Sequence, residues 1–259
     1  IPALASLFIL PLGVYFFQIG SPVSGLLGGL IGTFASGYYM RTSIGRIDTD
    51  MLNLFFPMFA ALLILLASRA KTERSVILYA LCAGLILFLF YWWYGKAGFT
   101  LVFFTVMVFS LFVHKIRFHT ILFSAYLFIL CAHPATFMNG TETILEFTKN
   151  YFVIEDAASG VVIDKGITKP ASFPNTMTTI SEVDRLPIDE LLRRILSNKL
   201  FDWAGLLALF LFMLLRWRVL LPLAPILALG FLSFHSSNRF IMYLAPLIGI
   251  GLGWLLNIG

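Results

Sequence analysis

The sequence predicts an all-α polytopic membrane protein. Of its 259 residues, 59% are hydrophobic and 12% charged, and the mean hydropathy is +0.92. Soluble domains carry about 25% charged residues. The apolar residues fall in runs, and a helix needs about 20 of them to cross a bilayer. The charges collect in the stretches between the runs. These features exclude an ordinary soluble domain, and no nucleic-acid partner is expected.

Nine candidate spans follow in order, roughly 3–19, 22–37, 51–68, 76–94, 99–113, 118–132, 202–215, 219–234 and 240–256. The chain opens on Ile1, directly in an apolar run and without a signal-peptide layout. It is therefore expected to be an internal segment of a longer protein. Gly13, Gly25, Gly28, Gly29 and Gly32 recur in the first two spans. Small residues let transmembrane helices approach closely, so tight helix packing accounts for them. Tyr38, Tyr39, Trp92, Trp93, Tyr94 and Trp203 cluster at span ends, as interfacial aromatics do. Cys82 and Cys131 lie inside apolar runs and read as small buried hydrophobes, not a disulfide or metal pair. Nine of the thirteen acidic residues fall in one long polar segment, 133–200. The organisation is thus 1–132, helices with an acidic loop at 38–50; 133–200, a long loop; and 201–259, a last group of helices.

Charge sets the expected orientation. Arg69, Lys71 and Arg74 share one short loop, Lys115 and Arg117 another, Arg216 and Arg218 a third. Counting spans puts all three on one face, which the positive-inside rule makes cytoplasmic. The segments 38–50, 95–98, 133–200 and 235–239 then face outward, and Glu73 is the one carboxylate inside.

The outward face gathers Arg41, Arg46, Asp48, Asp50, Glu182, Arg193, Arg194 and Arg239. The centre of interest is Tyr38–Asp50, YYMRTSIGRIDTD. Two aspartates one residue apart, with a distant glutamate, form an oxygen donor set of the kind that Mg²⁺ or Mn²⁺ prefers. Arginines nearby suit a phosphate or diphosphate, because the guanidinium plane binds two oxygens at once. Taken alone, the D-x-D is read either as a metal site or as a solvated turn with ion pairs. Arg239 alone is a snorkelling anchor or a ligand. His114, His119, His133 and His235 lack zinc-like spacing.

The stretch YYMRTSIGRIDTDMLNLFFPMF resembles the second outer loop of oligosaccharyltransferase catalytic subunits, above all the bacterial single-subunit type. Four further places agree in order: Trp92-Trp93-Tyr94 at a span end; Thr179-Ile180-Ser181-Glu182 as a TIxE motif; DELLRRI at Asp189–Ile195; and Asn238-Arg239-Phe240 with the apolar run after it. The resemblance implies a GT-C type membrane glycosyltransferase. It would move an oligosaccharide from an undecaprenyl or other polyprenyl diphosphate to the asparagine of an N-x-S/T sequon in an acceptor protein, written D/E-x-N-x-S/T by the bacterial rule. The reaction would be metal-dependent and inverting, at the periplasmic face of a bacterial inner membrane.

By the same resemblance Asp48, Asp50 and Glu182 would hold the Mn²⁺ or Mg²⁺. Glu182 would also touch the acceptor amide, and Arg41 would support the site electrostatically. Arg239 and Tyr94 would bind the lipid-linked donor, and Arg194 the acidic residue at position −2 of the acceptor. One further metal ligand would precede Ile1. The resemblance also leads to six spans between the acidic loop and the long loop, where the sequence has four. The YWWYG at 91–95 sits at a span end and does not match the acceptor-gripping WWDYG. Asn139-Gly140-Thr141 is read as a chance sequon. Two other readings are a lipid-glycosylating relative, which leaves TIxE and the paired arginines unexplained, and a transporter, which predicts charges at span centres.

Overall fold

A computed structural model describes residues 2–42, 49–152, 187–234 and 240–258. Every regular element among them is helical. In chain order these are α1 (Pro2–Gln18), α2 (Pro22–Phe34), α3 (Ser36–Thr42), a 3-10 turn (Thr49–Leu52), α4 (Phe55–Arg69), α5 (Glu73–Tyr94), α6 (Gly98–Val113), α7 (Phe118–Cys131), α8 (Pro134–Phe152), α9 (Ile188–Arg193), α10 (Lys199–Leu220), α11 (Ala224–Leu232) and α12 (Ile241–Ile258).

Four runs are long and apolar enough to cross a membrane unaided: Asp50–Arg69, Glu73–Tyr94, Lys199–Leu232 and Ile241–Ile258. Helices α1, α2 and α6 are shorter apolar rods, so the expected spans at 3–19, 22–37 and 99–113 are present but fall short of the full length. The 34-residue run Lys199–Leu232 would be about 50 Å long if straight, far beyond a bilayer core. It is not straight. The backbone leaves helical geometry at Arg216 (φ −126°, ψ 34°). Gly205, before the break, and Gly230, after it, both lie against residues 244–248 of α12. Two positions so far apart can meet one turn of α12 only if the chain doubles back between them. The run therefore makes two passes, as the expected spans 202–215 and 219–234 require.

Side-chain bonds mark the two ends of the bundle. At the basic end Arg69 Nη1 donates to the Gln18 carbonyl (2.6 Å), Arg216 Nη1 to that of Ile19 (3.2 Å) and Asn257 Nδ2 to that of Gly20 (3.3 Å). At the opposite, acidic end Tyr38 Oη donates to Ala5 O (2.8 Å) and Met51 O (3.1 Å), and Ser36 Oγ to Arg194 O (2.8 Å). The sequence pattern of basic loops against acidic loops is thus a two-ended structure.

The long polar segment differs from expectation at its start, because residues 134–152 form helix α8. The chain turns at His133, in the left-handed region with φ 70°, and α8 leaves α7 at 87°. Gly140 packs on Leu101 and Ala97 at the start of α6, and Phe137 meets Phe104 at 5.2 Å. An amphipathic helix lying across the acidic end buries its few apolar groups this way. Asn139 therefore sits on a helix, its carbonyl accepting from Thr143 Oγ1 at 2.9 Å, and not in the extended loop an acceptor sequon favours. Cys82 and Cys131 are free and partly buried.

The centre of the bundle is the contact of α2 with α12, the most extensive between any two helices. Two of the glycines singled out in the sequence serve it, while Gly25 and Gly29 face Phe16 and Ile9 of α1. Gly28 faces Ile250 and the Pro246 carbonyl; Gly32 faces the Pro246 ring. From the other side, Gly249 presses on the Leu27 backbone, Gly253 on Ser24 and Gly251 on the Gly205 carbonyl of α10. Gly13 stands apart, since a Cβ there meets nothing within 4 Å. Gly251→Ala is expected to wedge α10 from α12 and cost about 1–3 kcal/mol, as overpacking does, whereas Gly13→Ala is neutral or stabilising. Thermal melting of the two variants in detergent checks this, with the drop confined to Gly251→Ala.

Candidate functional site

The acidic turn begins where Ala35 ends α2 with its backbone extended (ψ 129°). A short helix, α3, then carries Tyr38 into the core. Tyr38 is fully buried, edge-on to Phe8 at 6.0 Å, and its hydroxyl bridges the carbonyls of Ala5 and Met51. Burial, and then the Asp50 carboxylate, push this phenol well above its ordinary range, so it remains a donor. It ties the first helix to the turn that holds Asp50.

Asp50 is also fully buried, at 0% exposure. The 3-10 turn Thr49–Leu52 brings Asn53 back over it: Asn53 N donates to Asp50 O (3.3 Å) and Asn53 Nδ2 to Asp50 Oδ1 (2.9 Å). Asn53 Oδ1 is buried with no hydrogen-bond partner. The amide turns its Nδ2, not its oxygen, to the Asp50 carboxylate; carboxylate and amide oxygens are each hard donors of the kind Mg²⁺ or Mn²⁺ prefers. Sequence reasoning did not find Asn53. Its place inside an apolar run hid it, although an amide three residues after an acid in a turn is a recognisable signal.

Asp48, Glu182, Arg239 and the side chain of Arg41 lie outside the described residues. Of the expected metal ligands only Asp50 is therefore described, and no group of three or more His, Cys, Asp or Glu side chains comes together among the described residues. Tyr94 is half-buried, stacked on Phe90 at 5.6 Å and edge-on to Phe99 at 6.0 Å. Gly95, in the left-handed region with φ 71°, closes α5 by donating to Tyr91 O. The YWWYG stretch is accordingly a helix stop.

Helix α9 carries the DELLRRI segment. Leu191 and Leu192 are fully buried and Ile195 nearly so, packed with Ala35 of the α2 end and Ile241, Leu244 and Ala245 of α12. The charged side chains face away and line an open cleft of about 540 Å³ with Pro187, Asp189, Glu190, Arg193, Arg194 and Lys199. Arg194 pairs with Glu190 (2.9 Å) and Lys199 with Asp189 (2.7 Å), both in the open. Through its carbonyl Arg194 also holds Ser36, two residues from Tyr38. The apolar side of a six-residue helix thereby fixes Arg193 and Arg194 at the same end of the bundle as Asp50.

A comparison with known families decides the relationship. The model described as oligosaccharyl transferase STT3, N-terminal, matches residues 1–259. The chain belongs to the STT3 oligosaccharyl transferase family. That family has the GT-C membrane fold, in keeping with the all-helical bundle. Among its relatives are proteins named undecaprenyl-diphosphooligosaccharide–protein glycotransferase from Campylobacter jejuni subsp. jejuni serotype O:2 and from Campylobacter jejuni strain RM1221. Each is 26% identical over 294 residues, an alignment covering 98% of this chain and 40% of the relative. The chain thus spans about two fifths of the length of these curated relatives. Because 294 aligned positions face a chain of 259, at least 35 positions of the relatives have no counterpart here. Four helices, α4 to α7, lie between the acidic turn and residue 133 among the described residues.

One buried group was not foreseen. Asp202, in the first turn of α10, is at 0% exposure and neither carboxyl oxygen has a partner. An unpartnered buried polar group costs about 1–3 kcal/mol, so Asp202→Val should raise the melting temperature. Asn53→Ala removes a donor from a buried carboxylate and should lower stability by about 1–3 kcal/mol. Scanning fluorimetry on both variants reads the opposite signs directly.

Proposed function

We propose that the full-length protein is a multi-pass inner-membrane enzyme of N-glycosylation. It transfers an oligosaccharide from undecaprenyl diphosphate to the asparagine of a D/E-x-N-x-S/T sequon. The observation that carries this reading is the STT3 match along the whole chain. The names of the Campylobacter relatives support the donor lipid and the protein acceptor. The separation of basic and acidic ends supports an active site on the face away from the cytoplasm.

In this reading Asp48, Asp50 and Glu182 hold Mn²⁺ or Mg²⁺. The oxygen character of the set and the buried pairing of Asp50 with Asn53 fit such an ion. When bound, it neutralises charge on the departing diphosphate in a direct, inverting displacement. Arg239 binds the diphosphate and Tyr94 the donor near its anomeric end. Arg41 adds positive potential. Glu182 holds the hydrogens of the acceptor amide and draws its lone pair out of conjugation, which makes a poor nucleophile competent. Arg194 accepts the acidic side chain at position −2. Its present partner is the exposed Glu190, an i,i+4 pair worth about 0.3–0.5 kcal/mol, so an incoming carboxylate can replace it readily.

Transfer to a peptide containing D-x-N-x-T, assayed with the full-length protein, tests these roles. Asp48→Ala and Glu182→Ala should each reduce turnover by about 100-fold or more, and chelation should abolish it until Mn²⁺ or Mg²⁺ is restored. Full turnover in both variants would remove the metal-site reading. Arg194→Ala should weaken the preference for an acidic −2 residue by about tenfold while sparing an A-x-N-x-T peptide. Equal losses on both peptides would remove the specificity role.

A further inference from the structure

The basic end holds Arg69, Lys71, Arg74, Lys115, Arg117, Arg216 and Arg218 against a single carboxylate, Glu73. Glu73 is already engaged by Arg117 (2.9 Å) and His119 (3.4 Å). Arg216 and Arg69 are turned onto main-chain carbonyls at the end of α1. Beside them opens a cleft of about 370 Å³, walled by Gln18 from α1, Leu66 and Arg69 from α4, and Lys71, Ser75 and Tyr79 around the start of α5. It contains no carboxylate. Among the described residues Lys71 has no ion-pair partner and Tyr79 Oη no hydrogen-bond partner, although the Tyr79 ring is half-buried. Arg69 spends one donor on Gln18 and keeps others of its fork. Thr72 caps α5 through Ser75 N (3.2 Å), and both residues line the cleft, so it sits beside the positive end of a 22-residue helix.

We propose that this cleft binds the headgroup of an anionic phospholipid. The ligand must supply negative charge and acceptor oxygens, because the cleft supplies cations, hydroxyl and amide donors and no anion. A phosphodiester meets both demands, and basic pockets between membrane helices take such headgroups. The surroundings favour a lipid over a free phosphate. Leu66 forms part of the wall, while Phe17 (71% exposed), next to Gln18, and Leu78 (57% exposed), next to Tyr79, offer apolar surface at the rim. An acyl chain leaving the headgroup runs onto the exposed Val14 and Leu10 of α1, one and two turns further on. The site lies at the end of the bundle opposite Asp50, so its occupancy is separable from any chemistry at the acidic turn.

The test is native mass spectrometry of the full-length protein in detergent, titrated with dioleoyl phosphatidylglycerol, dioleoyl phosphatidylcholine or inorganic phosphate. The wild type should retain one phosphatidylglycerol in preference to phosphatidylcholine, with inorganic phosphate failing to displace it. Lys71→Gln, an exposed change that spares the fold, should reduce phosphatidylglycerol retention about fivefold. Adding Tyr79→Phe should reduce it further, with melting in phosphatidylcholine unchanged as the check on folding. Equal retention of the two lipids, or undiminished retention by the double variant, overturns the site. Displacement by inorganic phosphate at millimolar concentration overturns the lipid as its occupant.

Discussion

The structure depends on the close approach of α2 to α12, where backbone meets backbone. In a membrane the surrounding lipid is as apolar as leucine, so burying leucine against leucine brings helices together only weakly. Dispersion between closely set atoms must serve instead, and it falls away steeply with any gap. Glycines on both helices permit that approach, and Gly251 extends it to α10. The three helices fix the acidic end: α12 and the end of α2 make the seat for α9, and α3 runs from α2 into the turn of Asp50.

Much of this was legible in the sequence. The apolar runs, their ends and the two-sided charge pattern follow from solvation, which acts residue by residue. The fold back at Arg216 was legible for the same reason, because two arginines in a short polar break cannot lie at bilayer depth. The glycines of the first two spans were visible as a packing surface. Their partners, Gly249 and Gly253, were not, because they lie at the other end of the chain and only the fold brings them together.

The misreadings have physical causes too. Helix α8 was counted with a polar loop because its apolar residues are few and serve one narrow contact with α6. Asp202 was taken for one more outward carboxylate at the head of a span. Its burial is decided by the rotation of α10 against α12, which composition does not encode. Asn53 was absorbed into the span beginning at Met51; the crossing run does begin there, but its first residues form a 3-10 turn in which the amide reaches back to Asp50. At the acidic end the family resemblance supplied the roles, and the structure supplies the local reason that Asp50 is held where it is.

The grip of Asn53 on Asp50 has a consequence for timing. A side chain free to rotate must be immobilised by whatever binds it, at a loss of affinity. Asp50 gives up that freedom when the chain folds, since Tyr38 ties Ala5 and Met51 together around it and Asn53 closes over it. The entropy is lost once, at biosynthesis, and not again in each encounter. In the proposed reading a metal ion held there would meet a rigid carboxylate, and discrimination would rest on size and geometry more than on adaptation.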